Sequence, residues 1–164
     1  MFNFFRPKSD DSELNLNIAA MAHFLVDDKG ADTETPLKKY LAFDKLDYSQ
    51  ESLKYVDEYL EEVRKNKKDL SDTQIATIVL RCGGYCGEVI KRNSKKSFTW
   101  VTYEDAVRID KRIKDFGPEK NIYVFSVLLE KPSSFSFPFA KIPKYIENGR
   151  EDSLYFFAQV IANK

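Results

Sequence analysis

The run Cys82-Gly83-Gly84-Tyr85-Cys86-Gly87-Glu88 concentrates the chemically versatile side chains of this chain. Its two cysteines lie one helical turn apart, the spacing at which an i, i+4 pair on one helix face can share a metal. Zinc takes four ligands, however, and the chain supplies only 2 Cys and 1 His, so no metal site is expected. A nucleophilic thiol needs a base and a depressed pKa, and His23 would have to arrive from a distant segment. Cys82 and Cys86 therefore read as small core residues, free rather than paired, because neighbours on one helix do not meet disulfide geometry. Free thiols point to a reducing, cytoplasmic setting. Glu88 offers a general base near Tyr85 and Trp100, or else an i, i+4 ion pair with Arg92. No residue is assigned as catalytic and no cofactor is expected.

Gly83, Gly84 and Gly87 need their own explanation, since each interior glycine costs a helix about 1 kcal/mol relative to alanine. A phosphate-cradling loop would follow a strand and open a helix, whereas these glycines lie deep inside an apolar helical pattern. Close packing is the expected reason: Gly83 and Gly87 share one flank, where a neighbouring backbone or ring can approach. Arg81, Tyr85, Glu88 and Arg92 line the other flank and, with Trp100, form the candidate interaction or pocket residues. The tryptophan either lines a pocket with Tyr103 or anchors the core.

The elements that must position these residues follow from periodicity and caps. Leu14, Ile18, Met21 and Leu25 predict an amphipathic helix over about residues 12–26, with His23 off its apolar stripe and residues 1–12 a flexible N-terminal segment. Thr35 before Pro36 reads as an N-cap and first helical position, so residues 37–43 are expected to form one short helix. Ser49, with a Tyr48/Leu53 hydrophobic staple, starts a helix running to Asn66. Ser71 and Gln74 form a capping box for a helix that ends near Asn93, a residue suited to a left-handed cap. Two capped helices in succession suggest an antiparallel helical pair.

Beyond Asn93 the pattern changes. Phe98, Trp100 and Val101 mark a strand, and Ala106, Ile109, Ile113 and Phe116 a helix stopped by Gly117-Pro118. Residues 122–129 read as a central strand covered on both faces. Phe135, Phe137 and Phe139 alternate along an extended segment whose Pro138 favours an edge or a strand exit, with burial of the rings expected over an exposed strip. A short helix begun near Pro143 ends at Asn148-Gly149, and Leu154, Phe157, Val160 and Ile161 give a last amphipathic helix. The fold class is α+β: N-terminal helices, then a small mainly antiparallel sheet with C-terminal helices, in one domain spanning 1–164.

Lys plus Arg and Asp plus Glu number 26 each, so no net field draws the chain to phosphate and nucleic acid is not expected as a partner. The basic runs 64–68 and 91–96 read instead as charges at helix C-termini. No secretory signal is expected, and nothing approaches the roughly 20 apolar residues of a membrane span. Phe2, Phe4 and Phe5 are expected to pack on their own domain, the alternative being a lipid surface.

The Ser49-x-x-Ser52-Leu53 helix start, the run Gly84-Tyr85-Cys86-Gly87-Glu88-Val89, Trp100, and the segment Phe137-Pro138-Phe139 through Asn148-Gly149 together resemble an uncharacterised family of small bacterial domains of unknown function. The likeness covers about residues 46–154, and Cys86 stands where that pattern has a larger apolar residue. It brings no activity. Small domains of this type often look like interaction modules, including immunity proteins that neutralise a toxin. The resulting expectation is a non-enzymatic, cytoplasmic bacterial interaction domain, immunity-like, with a protein partner. The alternative is a small-ligand protein or enzyme with a pocket between the glycine-rich helix and the sheet, near Trp100.

Overall fold

In the computed structural model, residues 9–116, 126–130 and 134–163 are described, with side chains from residue 13 onward except those of 116 and 126. Helix α3 (Asp72–Asn93) is the axis of the fold. Its start is set locally by the capping box: Ser71 Oγ accepts from the Gln74 N–H, and Gln74 Oε1 accepts from the Ser71 N–H. Every residue from Arg81 to Ile90 is buried, and a helix buried on all sides needs neighbours on all sides.

Helix α1 (Ser9–Val26) supplies one neighbour, running antiparallel to α3 so that Asn15 meets Lys91 while Phe24 lies under Arg81. Helix α2 (Ser52–Lys65) meets α3 through longer side chains, Ser52 to Tyr85. The tight antiparallel pair is therefore α1 with α3, and the pairing of α2 with α3 is the looser one. Helices α6 (Pro138–Asn148) and α7 (Leu154–Ala162) pack against both α2 and α3. The N-terminus of α7 is capped by its own Ser153 and by Asp57 of α2, whose carboxylate accepts from the Leu154 N–H at 2.8 Å.

Among the described residues the sheet has three antiparallel strands, β1 (Phe98–Thr102), β2 (Ser126–Glu130) and β3 (Ser134–Ser136), with β2 central. Trp100 lies opposite Leu128, and Leu128 opposite Ser136. Strand alternation sends Phe98, Trp100 and Leu128 into the main core with α3. Val101, Val127 and Leu129 face a smaller cluster with Ala106 of α4 (Tyr103–Ile109) and Ile113 of α5 (Ile113–Phe116). The outer edge of β1 is covered by α1, where Asn15 Oδ1 accepts from the Trp100 N–H at 3.1 Å, leaving that edge closed to a further strand. The architecture is α+β, with helices at both ends, and no helix among the described residues is long and apolar enough to cross a membrane.

Several local expectations are corrected. Helix α1 begins at Ser9 rather than near residue 12. Residues 37–43 do not form one helix: two 3-10 turns, Lys38–Tyr40 and Phe43–Lys45, replace it. The Thr35 hydroxyl caps nothing there because it donates to the Phe24 carbonyl and accepts from Arg81. Helix α2 starts at Ser52, three residues after Ser49, whose Oγ accepts from the Ser52 N–H as a cap does, and the Tyr48 ring lies on Tyr85. At the end of α3 the cap residue Ser94 is extended, not left-handed.

The helix expected through Ala106 to Phe116 is split because Asp110 leaves helical geometry, its carboxylate drawn to the Arg112 N–H and guanidinium. Ile109 is left exposed at that break. Helix α6 starts at Pro138, so Phe139 belongs to a helix rather than to the strand alternation, and Pro143 lies inside it. On α7 the buried positions are Leu154, Ala158 and Ala162, while Val160 is exposed. Phe2, Phe4, Phe5, Gly117-Pro118 and residues 122–125 lie outside the described residues.

Candidate functional site

On its glycine side α3 is met at unusually short range. A Cβ at Gly87 would stand 2.1 Å from Trp100 Cζ2, and one at Gly83 would stand 2.5 Å from Phe139 Cδ1. At Gly84 it would lie 3.3 Å from the Ile18 carbonyl oxygen of α1. The Trp100 and Phe139 rings, 5.2 Å apart at their centroids, fill the space between α3 and the sheet where a ligand pocket was the alternative expectation. The missing side chains are the room those rings occupy.

The polar flank is not the accessible face expected of it. Arg81, Tyr85 and Glu88 are buried, at 6%, 0% and 5% exposure, and of that set Arg92 alone reaches the surface. Loops and α1 cover the rest. Glu88 Oε1 accepts from Trp100 Nε1–H at 2.9 Å and pairs with Lys91 at 3.2 Å, so the expected Glu88–Arg92 pair does not form. A buried indole N–H and a buried carboxylate thereby satisfy each other. Arg92 instead stacks 3.6 Å above the Tyr48 ring.

What the flank does is grip two loops. The only non-glycine residues with positive φ among those described are Leu37 (53°) and Tyr48 (62°). Such a conformation costs an L-residue about 1–2 kcal/mol and persists only where its surroundings hold it. Around Leu37 the holder is Arg81, which donates to Thr35 Oγ1 and to the Thr33 carbonyl, both at 2.6 Å. Around Tyr48 the holders are Tyr85, whose hydroxyl accepts from the Tyr48 N–H at 2.9 Å, and Asn93, which donates to the Tyr48 carbonyl at 2.8 Å. Burial pushes the Tyr85 hydroxyl above its usual pKa, which keeps it a neutral hydrogen-bonding group.

Cys82 and Cys86 are fully buried free thiols, and burial pushes both far above the usual range. A thiol held protonated away from solvent is inert as a nucleophile. Among the described residues no group of three or more His, Cys, Asp or Glu is placed to hold a metal.

A groove lies on the far side of the Arg81 contact. Open and about 560 Å³ in volume, it runs between residues 33–39 and the first turns of α3, where Thr73, Gln74 and Thr77 form its second wall. Sequence reasoning missed this groove, although the long unpatterned stretch between Asp27 and Ser49 was a signal, since irregular connections of that length are usually functional. Its loop wall is anchored at a second point by Asp28, which accepts from the Thr35 N–H at 2.9 Å and lies 3.6 Å from Lys38.

That anchor has a pH signature. The Thr35 N–H, aided by the Lys38 ammonium, holds the Asp28 carboxyl below its ordinary value of 3.8. The folded loop thus favours the ionised form: its anchoring is complete above the ordinary value and is lost as pH falls through the lowered one. The Thr35 amide resonance is expected to titrate with a midpoint below 3.8. A midpoint at or above that value would show that Asp28 does not hold the loop.

In comparisons with family models, with curated proteins and with solved structures, none matches this chain.

Proposed function

We propose that this chain is a non-enzymatic protein-interaction domain whose binding surface is the groove between residues 33–39 and α3. The observation that carries the reading is a preformed wall: Leu37 is fixed in a left-handed conformation, with Arg81 and Asp28 gripping Thr35 beside it. A surface already held in shape does not have to be ordered when a partner binds, which removes one of the main costs of association. The interior chemistry supports the same reading. Glu88 is committed to Trp100 and Lys91, and both thiols are sealed in the core.

A substitution that fills the groove tests this. Tagged wild-type chain is expected to capture a discrete protein from its native host, identifiable by mass spectrometry. Thr77→Trp should lose it while keeping the wild-type unfolding temperature, and Phe156→Ser, at an exposed position of α7, should keep it. Equal capture by a folded Thr77→Trp chain, or no capture by the wild type, would overturn the reading. In the immunity-like form of the proposal, the captured protein is harmful to the host when expressed alone and harmless when this chain is co-expressed.

A further inference from the structure

The two left-handed residues, Leu37 and Tyr48, bracket a stretch of chain that is tied to the body mainly at its ends. Between them lie the two 3-10 turns, whose hydrogen bonds are local: the N–H groups of Tyr40, Leu41, Lys45 and Leu46 donate to the carbonyls of Leu37, Lys38, Ala42 and Phe43. Among the described residues, nothing in 39–46 makes a hydrogen bond or ion pair outside the stretch. What holds this middle part is apolar, with Leu41 and Leu46 buried in the main core.

Polar ties to the helices gather at the two ends. Just before Leu37, Arg81 holds Thr33 and Thr35, and the Tyr59 hydroxyl of α2 donates to the Pro36 carbonyl. At Tyr48 the Tyr85 hydroxyl accepts from the N–H and Asn93 donates to the carbonyl. A left-handed L-residue relaxes on rotating into the extended region, so both ends carry strain that opening relieves. Rotation at a few bounding residues is how a hinged segment moves. The turns between can travel intact because their hydrogen bonds go with them.

We infer that Leu37–Tyr48 is a strap that opens and closes as one unit, hinged at its two left-handed residues and latched by α2 and α3. Closed, it supplies Leu37, Lys38 and Lys39 to the groove; open, it takes that wall away and uncovers the Tyr85 ring on which Tyr48 lies. The groove then exists in proportion to the closed population, which the latches on α3 set from beneath. This motion belongs to the fold itself and does not depend on a partner occupying the groove.

Native-state hydrogen exchange on the full chain tests this. The Lys38, Tyr40, Leu41, Lys45 and Leu46 amides are expected to share one opening equilibrium, at least about tenfold less protected than the Val89 and Ile90 amides of α3. Tyr85→Phe removes the far latch alone, and Asn93→Ala does so from an exposed position. Each should lower protection at all five amides by the same factor, about fivefold, including Lys38 and Tyr40 at the opposite end. A loss confined to Lys45 and Leu46 would show two independent loops and overturn the strap. So would five amides that neither variant changes, or a wild-type strap as protected as α3.

Discussion

Gly87→Ala is expected to destabilise the fold by about 2–4 kcal/mol in urea unfolding, even though alanine is the better helix former by about 1 kcal/mol. The new methyl would stand 2.1 Å from Trp100 Cζ2 and 2.4 Å from Cη2, and Trp100 is fully buried with its indole N–H fixed on Glu88. A ring held at both its face and its edge has nowhere to go, so the clash must be relieved by moving α3 or β1. Gly83→Ala belongs to the same class, because the Phe139 Cα at 2.9 Å is backbone of α6. Gly84→Ala does not: its nearest contact is the Ile18 carbonyl oxygen at 3.3 Å, and the gain in helix propensity offsets a crowding of similar size, within about 1 kcal/mol.

A double mutant separates this account from a general intolerance of substitution in α3. Trp100→Phe removes the part of the ring that occupies the Gly87 space while leaving Glu88 without its indole donor. Gly87→Ala with Trp100→Phe should then be less destabilised than the two single changes summed, by about 1 kcal/mol or more. A Gly87→Ala chain as stable as the wild type would mean that the ring does not sit where this packing requires.

The features legible in the sequence are those set by neighbours along the chain. The Ser71/Gln74 capping box is one, since both partners lie within a single turn. The crowded glycine flank is another, because three glycines inside an apolar helical run demand a neighbour, and only the identity of the rings waited on the fold. The burial of Arg81, Tyr85 and Glu88 was not legible. Their polarity marked them as surface residues, and what covers them is α1, Trp100 of β1 and loop backbone whose path has no periodic signal. Phe139 failed for a related reason: its alternation with Phe135 and Phe137 is real in sequence, but Pro138 is equally suited to the first position of a helix, and the space beside Gly83 decides the matter. Leu37 and Tyr48 carried no warning at all, as bulky side chains are poor candidates for left-handed backbone and are held there by residues distant in sequence, Arg81, Tyr85 and Asn93 of α3 with Asp28 beside Thr35.

That dependence makes Arg81→Ala the second large effect, expected to cost about 2–4 kcal/mol. Truncation removes two hydrogen bonds at 2.6 Å and leaves the Thr35 hydroxyl and the Thr33 carbonyl facing a void beneath the loop. Arg81→Lys should recover only part of the loss, since one ammonium cannot reproduce a planar fork that reaches two acceptors at once. Arg92→Ala, which removes an exposed cation stacked on the Tyr48 ring, is expected to cost about 0.5–1 kcal/mol. Hydrogen exchange resolves where the Arg81 effect lies: in Arg81→Ala the hydrogen-bonded amides of Thr35, Lys38, Tyr40 and Leu41 should lose protection first, while Trp100 keeps native fluorescence because its Glu88 contact lies elsewhere on α3. Leu37 would then be free to leave its left-handed conformation, and the groove wall would go with it. Retained protection at Thr35 would instead show that Asp28 alone suffices to fix the loop, making Arg81 a contributor to stability without a part in shaping the binding surface.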